Sequence, residues 1–191
     1  MNDSSNSLAV HPDARAVLNF WYQELSVRDW FRKSDALDQT IQQRFGPAQR
    51  AASQGECAAW RTTPEGRLAE IIVLDQFSRN IFRDRPEAFA SDGMALVLAQ
   101  EAVGRGDDQR LPEPMQRVFL YMPYMHSESK LVHEVAMQLF AQPGLEENLG
   151  FEEKHKAIID RFGRYPHRNV ILGRESTPEE IEFLRQPGSS F

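Results

Sequence analysis

A cluster of basic residues lies between positions 161 and 174 of a chain that is acidic as a whole. No Asp or Glu falls within this segment, and its Gly and Pro residues predict an irregular backbone. The guanidinium group of arginine binds carboxylates and phosphates through paired hydrogen bonds. The cluster therefore indicates a loop that binds an anion, or else a set of arginines paired with carboxylates of the same chain. Its members are Arg161, Arg164, His167, Arg168 and Arg174.

Glu128 and His155 are the candidate acid–base residues, because each lies on a predicted helix face that is otherwise apolar. Glu128 belongs to a helix predicted over residues 127–140, with Leu131 on its core face, and His155 to one predicted over residues 151–162, with Phe151 on its core face. A carboxylate or imidazole that points into a core must be paired or lose its charge. Two simpler interpretations stay open: Glu128 serves the N-terminus of its own helix or meets solvent, and His155 is a hydrogen-bonded core residue.

A polar stripe runs along the helix predicted over residues 68–83, which is apolar on most of its remaining surface. The stripe consists of Asp75, Gln76, Arg79 and Arg83, which share an arc of roughly 100°. Asp75 and Arg79 are four residues apart, so the sequence predicts that they form a largely buried ion pair. The stripe is either satisfied within the core or lines a pocket.

Polar groups on several buried helices are costly unless they meet, so the sequence predicts one shared polar site. Because arginines outnumber carboxylates among the candidates, the predicted ligand is an anionic small molecule or an acidic peptide. The alternative is an enzyme in which Glu128 and His155 form an acid–base pair and the arginines stabilise an anionic substrate. The predicted ligand-binding residues are Asp75, Gln76, Arg79, Arg83, His126, Glu128, His155, Arg164, His167 and Arg168.

Several other classes of function are disfavoured by composition and motifs. The chain has 191 residues and a formal net charge of −6, which is unlike a nucleic-acid-binding protein. It has one cysteine, Cys57, and no HExxH motif, and His126 and Glu128 are two residues apart, so no metal site is predicted. No cofactor follows from the motifs. The absence of a long apolar run and of a signal-like N-terminus predicts a cytoplasmic protein without membrane contact.

Apolar residues spaced three and four apart predict an all-α fold of about seven or eight helices. A cap at Ser34 begins one helix, which is predicted to end at Gly46–Pro47, and Thr177 and Glu180 form a capping box before the last. Residues 169–172 are the best strand candidate, without a partner. We expect a single domain over residues 8–186, with disordered tails at 1–7 and 187–191.

Three motifs in this order resemble the bacterial family catalogued as domain of unknown function 924. They are LDQFSRNIFR at 74–83, YMPYMHSE at 121–128 and DRFGRYPHRNVILGRESTPEE at 160–180, supported by VLNFWY at 17–22 and WF at 30–31. The resemblance covers about residues 13–184. It implies an all-helical fold similar to tetratricopeptide repeats, with helical hairpins stacked into a superhelix. It implies no activity and assigns no catalytic residue.

Overall fold

A computed structural model describes residues 9–190, and the predicted all-α fold is confirmed within that range. Helices make up 70% of the structure, and the described residues contain no strand. Residues 169–172 form consecutive turns instead of a strand, because their backbone groups bond locally, as in the contact from Leu172 N to Arg168 O (2.9 Å). The tail predicted at 1–7 lies outside the described residues.

Ten α-helical segments follow one another along the described chain. Two π turns extend this set: Phe20–Glu24 continues the first segment, and Val73–Phe77 joins the fourth to the fifth. The segments are α1 (Pro12–Asn19), α2 (Val27–Phe31), α3 (Asp35–Ser53), α4 (Pro64–Ile72), α5 (Ser78–Ile81), α6 (Asp92–Gly104), α7 (Pro114–Met125), α8 (Lys130–Phe140), α9 (Glu146–Phe162) and α10 (Pro178–Phe183).

Capping residues set several of these helix starts, as predicted. The Ser34 hydroxyl accepts a hydrogen bond from Leu37 N and caps α3. At the start of α10, Thr177 and Glu180 form the predicted capping box. Such caps satisfy backbone N–H groups that have no acceptor within the helix.

Three predicted helix boundaries are wrong. The helix predicted to end at Gly46–Pro47 continues to Ser53, because its last turns bury Gln49 and Ala52 and this packing outweighs the hydrogen bond lost at proline. The start predicted at residue 127 lies at Lys130, since the Ser127 hydroxyl accepts from Ser129 N in the preceding turn. The start predicted at residue 151 lies at Glu146.

The apolar faces predicted for α8 and α9 are also partly wrong. Leu131 is 81% exposed and Phe151 is 49% exposed, although both were expected to face the core. In their place, His133 and Glu152 are completely buried and form an ion pair with 2.6 Å between Nδ1 and Oε1. Because two polar residues join these helices, apolar spacing alone predicts the wrong residues in this part of the core.

The helix formed by α4 and its π turn lies at the centre of the fold. As predicted for a segment that is apolar on nearly all sides, residues 68–74 are buried. It contacts α1, α6 and α7, while the π turn contacts α3. Near the C-terminus, Ser189 is buried and its hydroxyl donates to Leu184 O (3.2 Å). This framework places Asp75, Gln76 and Arg79 of the polar stripe between α6 and the C-terminal end of α7, whereas Arg83 contacts α3.

Candidate functional site

A pocket of about 340 Å³ lies between the first turn of α6, the C-terminal end of α7 and the loop after α9. Three of the predicted site residues line it: His126, Glu128 and Arg168. Its remaining polar surface includes Asp92, at the start of α6, and Ser127. Its apolar surface includes Phe89, Leu96, Pro123 and Leu172. The sequence therefore predicted three of the polar residues that line the pocket but none of its apolar residues.

Arg168 is held at the pocket by a 3₁₀ turn, Pro166–Arg168, and is only 7% exposed. Its guanidinium carbon lies 4.6 Å from the ring centre of Phe89 and 4.7 Å from that of Tyr165. Nη1 donates to Asp92 Oδ2 (3.3 Å) and Nη2 donates to His126 O (3.0 Å). Nε is buried and has no hydrogen-bond partner among the described residues. Burial, followed by the nearby charge of Arg79, lowers the pKa of Arg168 from its ordinary value.

The predicted ion pair between Asp75 and Arg79 is present, with 3.0 Å between Oδ1 and Nη1. Asp75 is 1% exposed, whereas the Arg79 side chain retains 20% of its exposure. Arg79 also binds both carboxylate oxygens of Asp92 at 2.9 Å. The polar stripe of the central helix therefore reaches the pocket wall through Asp92.

His126 is the histidine of the pocket, and a buried carboxylate orients it. Its Nδ1 lies 2.8 Å from Asp75 Oδ1, and the π turn Val73–Phe77 carries this aspartate. Burial alone would raise the pKa of Asp75, but the charge of Arg79 and the hydrogen bonds from His126 and Gln76 outweigh it and hold that pKa far below its usual value. Burial lowers the pKa of His126 despite the neighbouring carboxylate, so this imidazole is neutral at pH 7.

Glu128 lies in the turn before α8 and not on the helix face that the sequence predicted. Its two oxygens accept from Arg174 Nη1 and Nη2 at 2.7 and 2.9 Å, and Oε1 also accepts from Tyr165 N at 2.7 Å. Burial would raise the pKa of Glu128, but these donors outweigh burial and lower it. Glu128 is therefore an ionised carboxylate. It anchors the segment 161–174, the arginine-rich loop, through Tyr165 and Arg174.

His155 and His167 are not among the residues that line the pocket. Their ring centres lie 5.8 and 5.6 Å from that of Tyr165. His155 Nδ1 is 2.8 Å from Phe151 O. Burial lowers the pKa of His155 to about 3 and the pKa of His167 to about 4. Both are therefore neutral imidazoles next to Tyr165, whose backbone N–H donates to Glu128.

The remaining predicted site residues have partners away from the pocket lining. Gln76 donates to Asp75 Oδ2 (2.5 Å) and contacts Met122 Sδ (3.3 Å). Arg83 binds both oxygens of Asp38, on α3, at 2.5 and 2.8 Å. Arg164 binds both oxygens of Glu180 at 2.7 and 2.8 Å. Arg83 and Arg164 thus follow the simpler interpretation, in which arginines pair with carboxylates of the same chain.

Four residues that the sequence reasoning did not select contribute to this region: Phe89, Asp92, Tyr165 and Arg174. Arg174 belongs to the basic cluster and could have been included on that ground. Asp92 begins α6, and nothing in its local sequence indicates that two distant arginines converge on it. Three arginines and three carboxylates form ion pairs here in two separate groups, so the predicted excess of arginine is absent from this set. They are Arg79, Arg168 and Arg174 with Asp75, Asp92 and Glu128.

Within residues 9–190, no group of three or more His, Cys, Asp or Glu side chains is placed to hold a metal ion. In the same part of the chain, the helices are all too short or too polar to cross a membrane.

The fold and the pocket together define an all-helical protein with a small, charge-balanced cavity. The model of the family described as "Bacterial protein of unknown function (DUF924)" matches residues 17–188, and the chain belongs to this family. It is also similar to the solved structure of ATU0120, a protein of unknown function from Agrobacterium tumefaciens. The two chains are 40% identical with a TM-score of 0.84, over 90% of this chain and 96% of that one. No curated protein matches the chain.

Proposed function

We propose that the pocket beside Arg168 binds a small molecule through an anionic group. The observation that carries this proposal is a buried guanidinium, fixed between two aromatic rings, whose Nε has no partner among the described residues. A buried guanidinium at the wall of a pocket favours an anionic group there, because arginine binds anions through charge-assisted hydrogen bonds. The pocket volume of about 340 Å³ lies at the small end of the range for small-molecule sites, which favours a small molecule over an acidic peptide.

The first turn of α6 supports an anionic group in the same place. Gly93 lines the pocket, and the first N–H groups of a helix have no intrahelical acceptor and carry partial positive charge. A Cβ atom at Gly93 would meet no atom within 4 Å, so there is room next to the backbone. The nearby carboxylate of Asp92 is already neutralised by Arg79 and Arg168. An incoming anion therefore meets the positive end of α6 beside a carboxylate whose charge is already compensated.

The apolar wall of the pocket favours a ligand that also has a hydrocarbon part. Phe89 and Leu96 come from the α6 side of the pocket, Pro123 from α7 and Leu172 from the arginine-rich loop. Apolar contacts exclude water, and hydrogen bonds to an anion are stronger where the local dielectric constant is low. The combination suits a small organic acid.

Replacing Arg168 with methionine is expected to weaken binding of small carboxylates at least tenfold, because methionine keeps the apolar stem and removes every donor. The measurement is calorimetric titration with acetate and propionate, after a thermal-shift screen of organic acids and phosphates. Arg164→Met is the matched control, since Arg164 belongs to the same cluster and binds Glu180 instead of lining the pocket. Equal affinity in the wild type and in Arg168→Met would contradict the proposal.

A second candidate function, catalysis, is favoured by the contact between Asp75 and His126. A carboxylate that orients a neutral imidazole at a pocket is the arrangement of a general base. This geometry supports His126 as the base more than the pair of Glu128 and His155, because Glu128 is bound by Arg174 and His155 does not line the pocket.

Hydrolysis of 4-nitrophenyl acetate tests this second candidate. If His126 acts as the base, His126→Gln should reduce the protein-dependent rate by about 10²–10⁴-fold, the usual contribution of a general base. His11→Gln is the control, because His11 lies at the start of α1, outside the pocket lining. A rate that is the same in the wild type and in His126→Gln would argue against catalysis by His126.

A further inference from the structure

His126 is held in a single tautomer by the groups behind it. Asp75 is ionised, because Arg79 lies 3.0 Å from its Oδ1 and Gln76 donates to its Oδ2. An ionised carboxylate can only accept hydrogen bonds, so the contact of 2.8 Å requires the hydrogen of His126 to be on Nδ1. Nε2 of the neutral ring therefore carries a lone pair and is a hydrogen-bond acceptor.

Nε2 of His126 is the acceptor that the pocket leaves open among the described residues. The Asp92 carboxylate holds Arg79 and Arg168, and the Glu128 carboxylate holds Arg174 and Tyr165 N. No described donor lies within hydrogen-bond distance of Nε2, although the His126 side chain is part of the pocket lining. A ligand that fills the pocket must therefore supply a donor to Nε2, because this nitrogen otherwise loses its hydrogen bond to water.

The open acceptor and the proposed anion-binding donors belong to neighbouring parts of one wall. Arg168 Nη2 donates to the backbone oxygen of His126 at 3.0 Å, so the guanidinium and the imidazole are attached to residues in direct contact. A ligand that reaches both groups needs its hydrogen-bond donor only a few bonds from its anionic group. In a 2-hydroxy acid, the hydroxyl donor and the carboxylate lie on adjacent carbons.

The donor that fits is a hydroxyl rather than an ammonium group. An ammonium has three N–H donors and seeks three acceptors, whereas Nε2 offers one and the Asp92 and Glu128 carboxylates each already accept three hydrogen bonds. It would also place a positive charge near Arg79, Arg168 and the N-terminus of α6. A hydroxyl needs one acceptor and adds no charge.

We infer that the pocket recognises 2-hydroxy acids, with the carboxylate at Arg168 and the first turn of α6 and the hydroxyl hydrogen donated to Nε2 of His126. This inference rests on the proposed anion-binding function and names the ligand class for it. It gives His126 a role in specificity that is separate from the charge-based role of Arg168.

The test uses three molecules of nearly equal size that differ only at the second carbon: L-lactate, propionate and L-alanine. Their dissociation constants for the wild-type protein are measured by calorimetry at pH 7. We expect lactate to bind at least tenfold more tightly than propionate, and alanine to bind more weakly than lactate. Equal affinity for lactate and propionate, or a preference for alanine, would overturn the inference while leaving the anion-binding proposal intact.

His126→Phe then removes the acceptor but keeps a flat ring and the backbone oxygen that binds Arg168. The variant should lose the preference for lactate and bind lactate and propionate with equal affinity. A lactate preference that survives in His126→Phe would overturn the inference. If neither acid binds the wild type, both the inference and the proposed function fail.

A measurement on the wild type gives an answer even if His126→Phe does not fold. In protein labelled with ¹⁵N-histidine, the Nε2 resonance of His126 should move when lactate is added, because Nε2 accepts a hydrogen bond. Propionate at the same fractional saturation should move it much less. Identical shifts with the two acids would overturn the inference.

Discussion

Replacing Glu152 with alanine is expected to lower the free energy of unfolding by about 3–5 kcal/mol, the usual cost of removing one partner of a buried ion pair. Both side chains of the pair with His133 have no exposed surface. The substitution removes the acceptor at 2.6 Å from Nδ1 and leaves a cavity between α8 and α9. Equilibrium unfolding in urea would measure the loss.

This pair also supports the pocket from behind. His133 Nε2 lies 2.8 Å from Ser127 O and 3.2 Å from the Tyr165 hydroxyl, which itself donates to Met125 O at 2.5 Å. Ser127 lines the pocket, and Tyr165 stacks with Arg168. Loss of Glu152 should therefore weaken binding of small acids as well as stability, because the imidazole that fixes the Ser127 backbone loses its own anchor.

Two further variants separate the ion pair from simple loss of volume. Glu153→Ala removes an exposed carboxylate from the next position of α9 and should change stability by less than about 0.5 kcal/mol. Glu152→Gln retains an oxygen that can accept from His133 and should cost less than the alanine variant. A loss below about 1 kcal/mol in Glu152→Ala would show that the pair does not hold the two helices together.

The fold could be predicted because its determinants are local in sequence. Apolar spacing identifies most of the helices, and caps such as Ser34 and Thr177 identify their starts without knowledge of the tertiary structure. The pair of Asp75 and Arg79 was predictable for the same reason, since one helix turn brings residues four apart together. The length of α3 was not, because tertiary burial decides whether a helix continues past proline.

The partners within the candidate site could not be predicted, because they are distant in sequence. Arg168 and Asp92 are 76 residues apart, and Arg174 and Glu128 are 46 residues apart. A single sequence indicates that such groups need partners but not which partners they have. The faces of α8 and α9 failed for a related reason: His133 and Glu152 look like surface residues until their mutual contact is known.

Lowering the pH from 7 to 5 is expected to reduce the free energy of unfolding by about 2–4 kcal/mol. Burial lowers the pKa of His155 to about 3 and that of His167 to about 4, whereas an unfolded histidine has a pKa of about 6.5. Between these values the unfolded chain binds protons that the folded protein does not, so stability falls as the pH falls. Each histidine contributes about 2 kcal/mol of loss at pH 5.

Other groups of the same region modify this slope with known sign. The lowered pKa of His126 adds to the loss, because it too binds its proton only after unfolding. The lowered pKa values of Asp75 and Glu128 extend the loss below pH 5. Glu152 acts in the opposite direction, because burial raises its pKa and the folded state then binds the additional proton. For this reason the expected net loss is smaller than the sum of the histidine contributions.

Urea unfolding at pH 7, 6 and 5 measures this dependence, and His155→Phe assigns it. Phenylalanine cannot bind a proton in the unfolded state, so the variant should lose about 2 kcal/mol less than the wild type between pH 7 and pH 5. His11→Gln is the comparison variant, because it removes a histidine at the start of α1, away from Tyr165. Equal slopes for the wild type and His155→Phe would mean that His155 is protonated in the folded protein, and a neutral histidine beside Tyr165 would then be the wrong description of this region.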